Sequence, residues 1–112
     1  MAALRNVGIF GTATRTNTLL VVHMLGESHA SEIARIIEVS LSQAQKAIDS
    51  LERAGVLVGA TEGRARRVRI SPRYSAAAEL NSLLAKLALG EIELQRRLAT
   101  DRRRPRRAGK AL

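Results

Sequence analysis

The segment SLSQAQKAIDSLERAGVLV, residues 40–58, contains a helix start, an amphipathic stripe, a helix stop and the beginning of a strand. Residues 40–43 fit a capping box, in which the first and fourth side chains bond free backbone groups at a helix start. Apolar residues then recur at steps of four and three, at Ala44, Ile48 and Leu51. Gly55 can take the left-handed conformation that ends a helix. The segment therefore predicts a helix over residues 41–54 and a strand at residues 56–58.

Two further helices are predicted before this segment. Apolar residues at helical spacing predict a first helix over residues 12–25, with Gly26 as its stop. A second, shorter helix with one apolar face is predicted over residues 31–37. Residues 1–11 contain two glycines and little periodicity, and we expect them to form an arm.

A β-hairpin is predicted after the capped helix. Glu62-Gly63 reads as a turn, and Arg67-Val68-Arg69-Ile70 alternates charged and apolar residues, which places Val68 and Ile70 inward. Four arginines lie at or beside the tip of this hairpin: Arg64, Arg66, Arg67 and Arg69. An exposed basic hairpin of this kind suits phosphates or a narrow minor groove.

A leucine-rich helical segment is predicted over residues 75–99, with an interruption at Gly90. Its apolar face either folds back on its own domain or forms a dimer interface, because it would otherwise be a large exposed patch. The leucines that would form such an interface are Leu80, Leu83, Leu84, Leu87, Leu94 and Leu98.

The chain is basic, with a formal net charge of +9, and six of its 19 basic residues lie in the final eleven positions. These six are Arg102, Arg103, Arg104, Arg106, Arg107 and Lys110. Such a balance indicates a polyanionic partner, either nucleic acid or an anionic membrane surface. We predict that residues 101–112 are disordered when unbound and make non-specific phosphate contacts. Minor-groove reading by the Arg-Pro core is less favoured, because the flanking glycine of an AT-hook is absent.

Several chemistries are excluded or unsupported by the residue content. The chain has no cysteine, which excludes disulfides and thiolate metal sites. His23 and His29 are two ligands where zinc needs at least three, and nothing in their spacing requires Glu27 to join them, so no metal and no cofactor is predicted. No combination of acid, base and nucleophile indicates an enzyme. Without a membrane span or a secretory signal, we expect a cytoplasmic, nucleoid-associated protein with no membrane partner.

The outer face of the helix at residues 41–54 is polar near its start, with Ser42, Gln43, Gln45, Lys46 and Asp49. Such a face is either simply solvated, as most are, or reads base edges. Glutamine can pair with adenine, and lysine with guanine or phosphate. Two short helices joined by a tight turn present the second helix to the DNA major groove. The concentration of arginines in the hairpin favours the DNA-reading alternative.

Four motifs follow one another along the chain: EIAR at 32–35, SLSQ at 40–43, LERAGVLV at 51–58 and GRAR at 63–66. Together they resemble winged helix-turn-helix transcriptional regulators, most closely the ArsR-like group, over residues 12–72. The resemblance implies that the helix at 41–54 is a recognition helix and that the hairpin is the wing. The resemblance implies that Ser42, Gln43, Gln45 and Lys46 contact base edges and nearby phosphates, and we add Ser40 and Asp49 to the predicted recognition-helix contacts. It implies wing contacts at Arg64, Arg66 and Arg67, to which we add Arg69.

The resemblance also implies an architecture, which is mainly α with a small β-hairpin wing and a C-terminal dimerisation helix. Four segments are expected: an arm at 1–11, a winged helix-turn-helix DNA-binding domain at 12–72, a helical dimerisation segment at 73–100 and a basic tail at 101–112. Members of this group typically repress transcription as homodimers on palindromic operators. Its metal-sensing members use cysteine pairs that this chain lacks. A small-molecule effector is left open.

Two functions from different classes follow. The first is a homodimeric, sequence-specific regulator that binds double-stranded DNA. The second is a winged-helix adaptor that binds another protein, with a basic tail that touches nucleic acid without sequence preference, since fold does not decide function. The first requires Gln43, Gln45 and Lys46 to be exposed and unpaired, whereas the second does not depend on them.

Overall fold

The computed structural model describes residues 4, 8–63 and 65–102. These residues form five helices and a two-stranded antiparallel hairpin. In chain order they are α1 Ala13–Leu25, α2 Ala30–Ile37, α3 Leu41–Arg53, β1 Leu57–Glu62, β2 Ala65–Ile70, α4 Ala77–Leu89 and α5 Ile92–Arg102. The fold is mainly α with a small β-hairpin, as predicted. Arg64 of the wing, residues 103–112 of the tail and residues 1–3 and 5–7 of the arm lie outside the described residues.

The capping box predicted for α3 is confirmed. Ser40 Oγ accepts a hydrogen bond from the Gln43 amide at 3.0 Å, and Gln43 Oε1 accepts one from the Ser40 amide at 3.1 Å. The helix begins at Leu41, as predicted, and ends at Arg53, one residue earlier than predicted. Gly55 follows with a φ of 80°, the left-handed conformation that its position requires.

The core is built around α1. Every residue from Thr16 to Val22 is buried, because α3, α4 and β2 pack against different sides of this helix. Ile33 of α2 and Ile48 and Leu51 of α3 close the core beside it. Full burial of each such aliphatic side chain contributes about 1.5–3 kcal/mol. The relative orientation of α2 and α3 is therefore fixed by packing against one central helix.

The hairpin is longer than predicted and has a third, one-residue strand at its base. β1 and β2 pair along their whole lengths. Val68 is buried and Arg69 is exposed, which confirms the predicted alternation. Ser28, in the connector between α1 and α2, bonds the backbone of Val68 in both directions, at 3.0 and 2.8 Å. This bridge joins the hairpin to the start of α2, and the sequence does not predict it.

The C-terminal helix α5 is docked on α2. Arg35 Nε lies 2.9 Å from Asp101 Oδ1, and Arg97 Nη1 donates to the Ile36 carbonyl at 2.9 Å. The helix continues to Arg102, so the prediction of disorder from residue 101 is wrong at its first two positions. The ion pair with Arg35 explains the difference, because it gives Asp101 a partner on the folded domain.

Three of the six leucines assigned to a dimer interface are buried inside the chain. Leu84, Leu94 and Leu98 are 0%, 0% and 4% exposed. α4 packs on α1 and α5 packs on α2, which is the fold-back arrangement. A side chain already enclosed by its own domain has no surface left for a partner. The assignment of these three leucines to an interface is therefore corrected.

The remaining apolar surface lies on α4 and at its junction with α5. The junction falls at residues 90 and 91, as predicted. Leu83 is 41% exposed, and Leu80 and Leu87 are half-buried. Leu89 and Ile92, which flank the junction, are 75% and 67% exposed. Neither of these last two residues belongs to the predicted interface.

Candidate nucleic-acid interface

The helix α3 forms a ridge whose outer side is polar. Its inner side is buried through Ala44, Ala47, Ile48 and Leu51. Its outer side exposes Ser42, Gln45, Lys46 and Asp49, all of which the sequence predicts as DNA contacts. The structure therefore brings these four side chains together on one surface. Their contact with DNA stays a prediction.

A groove lies on each side of this ridge. The wing groove, of about 310 Å³, runs between α3, the start of α2 and the hairpin. It is lined by residues that include His29, Ser31, Leu41, Gln45, Arg66 and Arg67. The α1 groove, of about 270 Å³, runs between α3 and the start of α1. It is lined by residues that include Thr12, Thr14, Arg15, Gln43, Lys46 and Ser50.

Two of the predicted recognition residues are used by the helix itself. Ser40 and Gln43 are exposed, but each accepts a hydrogen bond from the backbone amide of the other. Paired recognition of adenine needs both the oxygen and the nitrogen of a side-chain amide. The Gln43 oxygen accepts from the Ser40 amide at 3.1 Å and lies 3.4 Å from Ser40 Oγ, so the closed capping box directs this oxygen at Ser40 and disfavours that pair. Gln45 has no such role and is the better candidate.

Arg66 of the predicted wing is neutralised by α3. Its Nη2 lies 2.5 Å from both carboxylate oxygens of Glu52, in the last turn of that helix. The hydrogen bond and charge of Glu52 raise the pKa of Arg66 above its usual value. The pair passes over Gly59 of β1, where a Cβ atom would lie 2.8 Å from Glu52 Oε2. The absence of a side chain at Gly59 therefore leaves room for this ion pair.

The other two described arginines of the hairpin differ from each other. Arg67 is half-buried, with Nε 3.0 Å from Glu27 Oε2 in the α1–α2 connector. The Arg69 guanidinium is exposed and forms no ion pair with the described residues. Exposed ion pairs contribute only about 0–1 kcal/mol, so they orient these side chains weakly, but they cancel their charge. Within the described hairpin, Arg69 carries the uncompensated charge.

The α1 groove contains a cation that the sequence analysis missed. Arg15 Nε donates to the Phe10 carbonyl at 2.8 Å, and its Nη1 donates to Ser50 Oγ of α3. Both acceptors are neutral, so Arg15 keeps its full charge. Lys46 lines the same groove and forms no ion pair with the described part of the chain. One feature of the sequence could have identified Arg15. It lies in the first turn of α1, where the helix dipole disfavours a cation.

Both histidines have structural partners. His23 Nδ1 lies 3.1 Å from Asn81 Oδ1, between α1 and α4, and His29 Nδ1 caps α2 by accepting from the Glu32 amide at 3.3 Å. Among the described residues there is no cluster of three side chains suited to hold a metal ion. None of the helices in the described ranges has the length and hydropathy needed to cross a membrane.

No model of a known family matches this chain, and no curated protein matches it. Its fold is similar to that of solved transcriptional regulators. A variant of ZitR from Lactococcus lactis has a TM-score of 0.57 at 14% identity, over 80% of this chain and 63% of that one. A MarR-like regulator from Thermotoga maritima has a TM-score of 0.56 at 22% identity, over 81% and 62%. A probable regulator from Pseudomonas aeruginosa has a TM-score of 0.58 at 20% identity, over 83% and 68%.

This likeness concerns the fold. It bears out the winged helix-turn-helix architecture, while the one subgroup named among these three proteins is MarR-like rather than ArsR-like. The chain spans less than two thirds of the ZitR and Thermotoga proteins, with 63% and 62% of their lengths covered. A further ZitR variant, solved in complex with DNA, has a TM-score of 0.56 at 14% identity, over 80% of this chain and 65% of that one.

Proposed function

We propose that this chain is a transcriptional regulator that binds double-stranded DNA through α3. The observation that carries the proposal is the exposed polar ridge of α3, flanked by two grooves that each contain arginine. A protein with a similar fold has been solved with DNA bound, which supports the same use of the fold here. No enzymatic role is proposed.

The dimensions of the ridge suit the major groove. A helix with its side chains is about 10–12 Å across, and the major groove of B-DNA is about 12 Å wide. Gln45 and Lys46 would then face base edges, because the N-terminal half of a recognition helix contacts the bases. The two grooves beside α3 would face the two phosphate backbones. Arg15 would serve one backbone, and the arginines of the hairpin would serve the other.

The proposed assembly is a homodimer that occupies a palindromic operator and thereby represses transcription. The apolar residues still exposed in the single chain support it: Leu83 on α4, and Leu89 and Ile92 at the α4–α5 junction. Two recognition helices about 34 Å apart would meet successive turns of the same DNA face. The predicted ArsR-like affiliation draws no support from the structural comparisons, whereas a winged-helix regulator in the broader sense does. A cytoplasmic, nucleoid-associated location belongs to the same proposal.

The basic residues after α5 would add contacts without sequence preference. Arg103, Arg104, Arg106, Arg107 and Lys110 lie outside the described residues, so their part rests on charge alone. Each phosphate contact steepens the dependence of binding on salt by about 0.9 in the logarithmic slope. The tail would therefore raise affinity for all duplexes alike.

The test is selection of bound duplexes from a random pool, followed by sequencing. An enriched palindrome with half-sites one helical turn apart would support the proposal and supply the operator. The variant with Gln45→Ala and Lys46→Ala is the matched control, because both side chains are exposed and the fold does not depend on them. Retention of the same enriched site by this variant would contradict the role of α3.

The same exposed apolar surface would also serve the alternative function, a protein–protein adaptor. Leu89 and Ile92 are the most exposed large apolar residues in the described chain, and they lie three positions apart at the α4–α5 junction. Uniform, salt-sensitive DNA binding with no enriched site would favour this alternative.

A further inference from the structure

An apolar side chain stands exposed on the recognition ridge. Leu41, the first residue of α3, is 53% exposed and lines the wing groove beside Gln45. The other exposed large apolar residues of the described chain lie elsewhere, at Ile9, Val58, Leu83, Leu89 and Ile92. Leu41 is thus an exposed apolar residue on a ridge whose other exposed side chains, from Ser42 to Asp49, are polar.

The position of Leu41 is fixed by the structure around it. The capping box of Ser40 and Gln43 closes around Leu41 and holds the first turn of α3 in place. The core contacts are made one and two turns later, by Ala44 and Ile48, which are buried. Leu41 is therefore held rigidly at the edge of the ridge without being needed in the core.

The chemistry of the major groove limits what could cover such a side chain. The base edges there present hydrogen-bond donors and acceptors, and one apolar group, the C5-methyl of thymine. Burial of a leucine against donors and acceptors would leave those groups unsatisfied, which is costly. A methyl group forms no hydrogen bonds, so packing a leucine against it leaves no group unsatisfied.

We propose that Leu41 determines specificity by packing against the C5-methyl group of a thymine in the half-site. This inference rests on the proposed function, since it requires α3 to enter the major groove. It adds a base preference that the polar residues of the ridge do not supply. The neighbouring Gln45 would read the adjacent base pair.

The test replaces single thymines of the selected duplex by deoxyuridine, which removes only the methyl group. Binding of the full chain should weaken about 3- to 5-fold at one thymine of each half-site, the effect of one buried methyl-sized group. In the Leu41→Ala variant the same replacement should have no effect. In Leu41→Met, which keeps an apolar side chain of similar reach, the uracil effect should persist.

Two results would overturn the inference while the proposed function stands. The first is an enriched site at which no uracil replacement weakens binding. The second is a uracil effect that Leu41→Ala retains in full, because another residue would then contact the methyl group. Failure to enrich any site overturns the proposed function and this inference with it. Unchanged thermal melting of Leu41→Ala would show that its fold is intact.

Discussion

The two flanks of α3 carry the same kind of residue in opposite electrostatic states. On the wing side, Arg66 and Arg67 are paired with carboxylates. On the α1 side, Arg15 bonds only a carbonyl and a hydroxyl, and Lys46 forms no ion pair with the described residues. Two of the three described arginines of the flank that looks most basic in the sequence are thus neutralised in the fold. The flank that looks unremarkable keeps its charge.

This difference shows that a count of basic residues does not locate a phosphate-binding surface. A guanidinium bonded to a carboxylate contributes little field at a distance, whereas one bonded to neutral acceptors contributes all of its charge. The hydrogen bonds of Arg15 also hold its guanidinium in place before DNA arrives. We therefore expect the α1 flank to contribute more to DNA affinity than the described part of the wing.

The largest expected effect is that of Arg15→Gln. Loss of a charged hydrogen-bond donor at a phosphate should weaken binding by about 1.5–3 kcal/mol, or about 10- to 150-fold. Titration of a labelled duplex at fixed salt measures it. Lys86→Gln on α4 is the matched control, because it removes one exposed charge that lines neither groove. Equal losses in both variants would show that only net charge matters and would remove the distinction between the flanks.

The next prediction distinguishes Gln45 from Gln43, which line the grooves on opposite sides of α3. Gln45→Ala should relax the choice of one base pair by about 1–3 kcal/mol, because its amide is available to a base edge. Gln43→Ala should leave base choice unchanged and lower the free energy of unfolding by about 0.3–1.5 kcal/mol, since it opens the capping box. Binding to single-base variants of the operator and thermal melting measure the two effects. A loss of base choice in Gln43→Ala would contradict the assignment.

A smaller change is expected from Arg69→Gln, which removes the uncompensated charge of the described hairpin. The slope of binding against salt should fall by about 0.9, the value for one phosphate contact. The double variant Glu52→Gln with Arg66→Gln should leave the slope unchanged, because it removes a neutral pair. Affinity measured at four salt concentrations gives both slopes. A shallower slope in the double variant would show that Arg66 leaves Glu52 and contacts DNA.

The smallest expected change is a gain in DNA affinity. Glu52→Gln frees the charge of Arg66 and should tighten DNA binding by less than about fivefold, in line with the small energy of an exposed ion pair. In an Arg66→Gln background the same substitution should produce a smaller gain. If the two gains were equal, the effect of Glu52 would be general repulsion of DNA rather than its contact with Arg66.

The parts of the fold that depend on neighbouring residues could be predicted. The capping box at residues 40–43, the helix end before Gly55 and the alternation of Val68 and Arg69 each involve one turn or one strand, and each is confirmed. The burial of Leu84 could not be predicted in the same way. An apolar helix face requires a cover, but its sequence does not say whether its own domain or a second copy supplies it.

The same division applies to the candidate site. The exposure of Gln45 and Lys46 follows from helical periodicity and agrees with the structure. The neutralisation of Arg66 does not follow from it, because Glu52 lies fourteen positions away on another element. The first turn of α1 does mark Arg15 as an unusual cation, but its position beside α3 depends on Ser50, which lies on a different helix. Pairing across elements depends on the folded geometry, which local patterns do not encode.

Arg97 connects α5 to the end of α2, because its side chain donates a hydrogen bond to the Ile36 carbonyl. Only a three-residue turn separates that carbonyl's helix from the start of α3, so the link acts close to the pivot of the helix-turn-helix pair. A displacement of α5 would either break this hydrogen bond or move the end of α2 as well. In the proposed homodimer, the C-terminal helices would therefore couple the distance between the two copies to the tilt of α3 in each copy.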